Sequence, residues 1–313
     1  MSVSISVEQI MNVINNNIYL ELGSECKKNG DYKKMKEYYN TSINQGNSTA
    51  LTMMGIYYDE KEKHDKMKKF YKLAVECDDR VAMNNLAIYY RTVGKYDKMK
   101  ELYKLSIKKD YVDAMYNFGY YYQTYEKNIK EMTKYYKMAF KRGHLLAIYN
   151  LGTYYNEIKN YKQMKKYYHA IVDYKNTYDE KVEQNNLNNI DEHFEKIYNN
   201  VIFELGNYYY MVEKNYNEMK KYYLLAIENG NVSAMNNLGS YYQIIEENEN
   251  EMKKYLLMAI EKGHDKAMFS LGRYYGAKNN TDEMTKYLIM ATQHGNIKAE
   301  ELLMNYFCLK NKN

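Results

Sequence analysis

The chain has 313 residues, 45% hydrophobic and 27% charged, which supplies enough apolar material for a core and argues against intrinsic disorder. Its 45 basic and 40 acidic residues leave a net charge of +5, too slight to imply a nucleic-acid partner by itself. Three cysteines (Cys26, Cys77, Cys308) lie far apart in no metal-ligand spacing, and no run approaches 18 apolar residues, so neither a disulfide framework nor a transmembrane helix is expected.

Along the chain one pattern returns. The first copy starts at Ile18, and further copies start at Ala50, Ala82, Ala114, Ala147, Val201, Ala234 and Ala267, with a half-copy at Ala299. Successive starts are 32, 32, 32, 33, 54, 33, 33 and 32 residues apart. A fixed period of this length marks a repeat architecture. Each copy opens with a segment such as AMNNLAIYY or AMYNFGYYY, whose apolar residues (Met83, Leu86, Tyr90) fall three and four apart. That spacing predicts a helix. A second block, Y-x-K-M-K-K-Y-Y-x-x-A-I-x-x-G, repeats the spacing at Met67, Tyr71, Ala74 and Val75 and predicts its partner helix.

Its methionine recurs in eight copies, as Met35, Met67, Met99, Met132, Met164, Met219, Met252 and Met284. Asp31, Asp97, Asn160 and Asn215 are suited to cap the second helix, and Gly46, Gly143, Gly230, Gly263 and Gly295 to end it. A small residue recurs in the first helix, as Gly23, Gly55, Ala87, Gly119, Gly152, Gly206, Gly239 and Gly272. Glycine costs a helix about 1 kcal/mol against alanine, so its recurrence predicts close approach of the partner helix. In the tandem tyrosines (Tyr57-Tyr58, Tyr154-Tyr155, Tyr274-Tyr275) one ring is expected in the hairpin core. The other is expected to cover the seam to the next unit.

These residues resemble the tetratricopeptide superfamily: Gly55, Tyr58, Met67, Tyr71 and Ala74 follow its spacing without a gap. The junction from Ala226 to Gly239, A-x-x-G-N-x-x-A-M-x-N-L-G, looks more like the Sel1-like branch. The proline that usually closes a tetratricopeptide unit is missing, and methionine replaces the usual alanine in every copy. The resemblance implies an all-α, right-handed α-solenoid of about eight helix–turn–helix repeats, with a C-terminal capping helix in AEELLMNYFCLKNKN. The long interval after Ala147 predicts two sub-arrays, 1–174 with five hairpins and 190–313 with three. An exposed polar insertion, 175–189, is expected to join them.

No Walker loop, G-x-S-x-G, H-E-x-x-H or C-x-x-C is present, and the six histidines fall mostly once per repeat near turns. No enzyme activity, catalytic residue, metal or cofactor is expected. In the resembled family the first helices line the concave face. The residues placed there by the resemblance are Asn85, Asn117, Asn150 and Asn237, with Tyr116 and Tyr149 as apolar anchors and Met53, Glu204 and Ser270 interrupting the column. Amides both donate and accept, so such a ladder suits an extended peptide. The expected partner is therefore a protein or peptide, with no membrane. RNA is the alternative, along lysines flanking the methionine column (Lys66, Lys68, Lys69, Lys165, Lys166, Lys220, Lys221, Lys253, Lys254), which are expected on a solvated outer face. Exposed members of the 41 tyrosines offer a route to self-association.

Only four arginines, no proline and no tryptophan suggest an A/T-rich coding genome, which occurs among some protists, bacteria and large DNA viruses. With no signal peptide visible in MSVSISVEQIMNVINNN, a cytoplasmic location is expected, in a host cell if the genome is viral.

Overall fold

The computed structural model describes residues 7–185 and 192–310. Among the described residues there are seventeen α-helices and no strand. The chain forms two compact units that divide at Leu151 and Gly152, inside α9 (Leu145–Glu157). The first holds the hairpins α1 (Val7–Lys28) with α2 (Tyr32–Asn44), α3 (Ser48–Glu60) with α4 (His64–Glu76), α5 (Arg80–Thr92) with α6 (Tyr96–Lys108) and α7 (Val112–Tyr121) with α8 (Ile129–Phe140). In the second, α10 (Tyr161–Asn185) is followed by α11 (Glu192–Tyr208) with α12 (Tyr216–Glu228), α13 (Val232–Ile244) with α14 (Glu249–Glu261), and α15 (Asp265–Ala277) with α16 (Thr281–Gln293). The last helix, α17 (Ile297–Lys310), packs on α16. The fold is thus an all-helical array of hairpins at the predicted period.

The helices start and stop where local chemistry directs. Asp31, Asn160 and Asn215 accept from the backbone N–H three residues on, at 3.1, 3.3 and 3.2 Å. Asp97 does not cap α6; Lys95 takes that position and Asp97 sits in the first turn, where its charge still favours the helix dipole. Gly46, Gly143, Gly230, Gly263 and Gly295 have φ between 79° and 88° except Gly230 at 78°, the left-handed stop expected of them. Asp78 and Asp110 take the same conformation after α4 and α6.

The insertion is the main departure. Instead of a loop at 175–189, α10 continues as helix to Asn185, and residues 186–189 lie outside the described residues. No glycine or proline interrupts 175–185, and the N-terminal extension of α11 gives the extra turns something to pack on. Tyr174 meets Phe194 edge-on at 5.3 Å, and Lys175 bonds Asp179 at 2.7 Å and reaches Glu195 at 3.5 Å. The helical spacing of Ile171, Tyr174 and Tyr178 was the available signal, masked by the polar composition around it. The two compact units meet at residues 151 and 152 in the sequence.

Seven members of the methionine column are buried, six of them completely, and Met284 is half-buried. Beside them, in five hairpins, the second tyrosine of the tandem pair lies flat on a ring of its own hairpin's second helix. Tyr122–Tyr135, Tyr155–Tyr167, Tyr209–Tyr222, Tyr242–Tyr255 and Tyr275–Tyr287 stack at 5.5–5.8 Å with planes 3–8° apart. The first tyrosine covers a seam, but to the preceding hairpin rather than the next. The lysine that follows the column methionine reaches over it: Lys36 on Tyr57, Lys68 on Tyr89 and Lys100 on Tyr121 in the first unit, Lys165 on Tyr208, Lys220 on Tyr241 and Lys253 on Tyr274 in the second, at 5.1–5.8 Å. Tandem tyrosines thus couple each hairpin both inward and backward.

The three 33-residue copies hold their extra residue at one place. In 32-residue copies the left-handed turn residue comes five after the first tyrosine, as in Glu62, Gly94 and Asn279, and Lys159 keeps that spacing in the copy before the long interval. In the longer copies it comes six after, as Lys127, Lys214 and Glu247. Two of these absorb the residue as a π-helical turn, Tyr122–Glu126 and Tyr209–Glu213. The residue before the turn is then glutamate. Glu126, Glu213 and Glu246 accept from Tyr121, Tyr208 and Tyr241 hydroxyls at 2.9, 2.5 and 2.7 Å and pair with Lys100, Lys165 and Lys220.

Hydrogen bonds from these lysines hold all three carboxyls below their ordinary range. A depressed folded pKa adds stability that is present above the unfolded value, near 4.3, and lost as pH falls through the folded value. Changing the three glutamates together to glutamine is accordingly expected to lower the denaturation midpoint at pH 7, and the deficit is expected to shrink toward pH 3. Parallel pH profiles for the two proteins would contradict this.

Candidate functional site

The first-helix face carries the asparagine column. Asn85, Asn117, Asn150 and Asn237 are each half-buried, and each amide is held by a side chain. Three of them donate to the hydroxyl of a tyrosine fourteen residues earlier, on the second helix of the preceding hairpin. These are Asn85 to Tyr71 (3.5 Å), Asn150 to Tyr136 (3.1 Å) and Asn237 to Tyr223 (3.4 Å). Those tyrosines are the rings that lie over the column glycines Gly55, Gly119 and Gly206. Close helix approach thus buries a ring, and the asparagine of the next hairpin meets the hydroxyl at its far end. Burial pushes the phenols of Tyr71 and Tyr136 up, and that of Tyr223 up to about 12, so the hydroxyls remain protonated donors and acceptors at neutral pH.

Amides also link along the face. In the first unit Asn84 donates to Asn85 at 3.1 Å and Asn117 donates to Asn84 at 3.0 Å. Asn117 departs from the rule, since the tyrosine fourteen residues before it, Tyr103, is fully buried and its hydroxyl has no partner among the described residues. That hairpin is also the one with Ala87 in the glycine column. Tyr116 stacks between Tyr136 (5.7 Å) and His144 (4.5 Å), and Tyr149 is half-buried.

The second unit contains a network that the sequence reading passed over. Glu204, noted only as an interruption of the column, accepts from Asn156 at 3.4 Å and from Asn207. Asn207 accepts from Tyr223 at 2.7 Å and from Asn237 at 3.1 Å, and Asn236 donates to Asn237 at 3.3 Å. Burial raises the Glu204 carboxyl, the two amides oppose it, and no charged group contributes. The sign here is opposite to that of Glu213. A raised folded pKa makes the folded chain bind more protons, so stability falls as pH rises from the unfolded value through the folded one. Glu204→Gln is expected to raise the denaturation midpoint at pH 7 and to change it little below pH 4; a loss at pH 7 would refute this.

Of the lysines flanking the methionine column, Lys66, Lys69, Lys166, Lys221 and Lys254 are exposed, and Lys68, Lys165, Lys220 and Lys253 are half-buried. Lys68, Lys165, Lys220, Lys221, Lys253 and Lys254 each pair with an acid at 2.5–3.7 Å, and Lys66 and Lys166 lie over Tyr58 and Tyr167. The histidines also have local roles: Nδ1 of His144 and of His264 accepts from the N–H of Ala147 and of Ala267, capping α9 and α15. Among the described residues no group of three His, Cys, Asp or Glu is placed to hold a metal ion, and no helix is long and apolar enough to cross a membrane.

Known proteins share this architecture. The tetratricopeptide repeat family model matches residues 17–44 and 48–79, which are α1–α2 and α3–α4. Among solved structures, c5321, a protective antigen of uropathogenic Escherichia coli displaying an SLR (Sel1-like repeat) fold, is 19% identical with a TM-score of 0.50, over 91% of this chain and 69% of that one. A Sel1 repeat protein from Oxalobacter formigenes is 20% identical with a TM-score of 0.46, over 77% of this chain and 96% of its own. No curated protein matches by sequence. Two tetratricopeptide repeats are matched within residues 17–79, and the fold along nearly all of the chain is that of Sel1-like, tetratricopeptide-like helical repeats.

Proposed function

We infer that the chain is a non-catalytic scaffold that holds a peptide or partner domain along its first-helix face. The observation that carries this reading is the half-buried amide column, fixed in place by buried tyrosine hydroxyls at Asn85, Asn150 and Asn237 and by Asn84 at Asn117. Each amide has two donor and two acceptor positions, and the neighbouring tyrosines and asparagines leave at least one acceptor position open on each. The positions left open can meet backbone N–H and C=O groups of an extended segment. Because the amides are already ordered, little side-chain entropy is lost on binding. Tyr116 and Tyr149 flank Asn117 and Asn150 and offer ring surface for apolar side chains of the partner. An RNA track is disfavoured by the lysines, whose charges are spent on neighbouring acids and rings.

The test is selection of a random dodecapeptide library on the full chain, followed by affinity measurement on Asn85, Asn117 and Asn150 changed together to alanine. Binding is expected to weaken at least tenfold. The replacement also leaves the Tyr71 hydroxyl without a partner, at about 1–3 kcal/mol, and takes one of two from Tyr136, which still donates to Gln123, so Asn117→Ala alone supplies the control that spares those tyrosines. Equal affinity in all three proteins would overturn the groove.

A further inference from the structure

Resting on that reading, we propose that the first-helix face of the second unit, centred on Glu204, receives a lysine or arginine side chain of the bound segment. Glu204 lies at the column position that asparagine occupies in Asn150 and Asn237, so it stands where the ladder meets its ligand. It is half-buried, and everything that touches it is neutral: Asn156 on one side and Asn207 on the other. A carboxylate removed from water without a cation is a standing cost to the fold, and most carboxylates in this chain avoid it. Glu126, Glu213 and Glu246 each have a lysine. Glu204 has amides that orient it and nothing that neutralises it.

Two buried polar atoms on the flanking helices have no hydrogen-bond partner among the described residues: the Thr153 hydroxyl, one helical turn before Asn156, and the Asn236 carbonyl, at the other end of the amide chain that runs through Asn237 and Asn207. A half-buried carboxylate whose only partners are neutral amides suits an ammonium or guanidinium group, which brings three or five N–H donors and the missing charge. An acidic or phosphorylated segment would instead meet like charge and acceptors. The overall charge of +5 removes the trivial explanation that any cation would adhere to the chain.

The experiment uses the full chain and Glu204→Gln, which keeps the side-chain shape and can still bond Asn156 and Asn207. Dodecapeptides are selected on the wild-type chain, synthesised, and remade with each lysine or arginine replaced by norleucine; affinities for both proteins are then read by fluorescence anisotropy. The expected result is one basic position whose replacement costs about tenfold or more on the wild type and under twofold on Glu204→Gln. Equal cost on the two proteins, or selected peptides with no basic residue, overturns the cation site. If those peptides still lose affinity on Asn237→Ala, the groove stands without it. No enriched peptide at all overturns both readings.

Discussion

Gly55→Val is expected to destabilise the first unit by about 3 kcal/mol, read as a fall in the urea midpoint without loss of helicity in the folded baseline. On helix propensity alone any residue at position 55 should improve on glycine, by up to about 1 kcal/mol for alanine. Packing decides otherwise. The Tyr71 ring lies directly over the Gly55 Cα, its Cγ 3.1 Å from where a Cβ would be, with the nearer ring carbons deep inside contact distance. The same ring position recurs at Gly23 and Gly206, where the closest carbon would stand 2.5 Å from the Cβ. Tyr71 is 1% exposed and its hydroxyl is bonded to Asn85, so the ring has no free direction in which to retreat. Gly55→Ala is expected to show the same sign at about 1–2 kcal/mol. An increase in stability with alanine would mean that the ring moves freely and that propensity governs the column. In the hairpin where alanine occurs naturally, at Ala87, the facing Tyr103 is the column ring left without a hydroxyl partner.

The second large effect concerns the methionine column. Met67→Ala restores the residue usual in tetratricopeptide units, and restoring a consensus residue commonly stabilises. Here it is expected to cost about 2–5 kcal/mol, the price of deleting a completely buried side chain. The reason is the stack of rings beside it. Tyr58 lies on Phe70 at 5.4 Å and Tyr71 fills the space over Gly55, so the rings of this hairpin are held by one another and are not free to collapse into a gap. Met284→Ala, at the half-buried member of the column, is expected to lose distinctly less. Equal losses at the two positions would show that the column contributes through helix propensity and not through volume. Both measurements bear on the groove as well, because Tyr71 ties this core to Asn85 on the candidate binding face.

Several features of the fold were legible in the residues. The period, the helical spacing, the glycine stops at Gly46 and Gly143 and the close helix approach at the glycine column all follow from local chemistry repeated often enough to be unambiguous. The insertion was misread because composition was weighed above spacing: KNTYDEKVEQNN is polar, yet Tyr174 and Tyr178 continue the helical stripe of Ile171.

The candidate site was legible only as a column of asparagines. That three of the four amides hold a tyrosine fourteen residues back, in another hairpin, depends on how hairpins stack, and no pattern within one repeat contains that distance. The lysines beside the methionines show the same limit. As sequence they are charges on an outward face, whereas in the folded chain Lys165 and Lys220 close over tyrosines of the following hairpin and pair with glutamates there. Glu204 shows it most clearly, because one glutamate among many becomes distinctive only when folding buries it among amides and leaves every cation out of reach. Repetition along the chain determines backbone form, because helices and turns are set by neighbours a few residues away. Charge compensation and hydrogen-bond satisfaction are settled between hairpins, and only tertiary packing decides which groups are paired and which are left open to a partner.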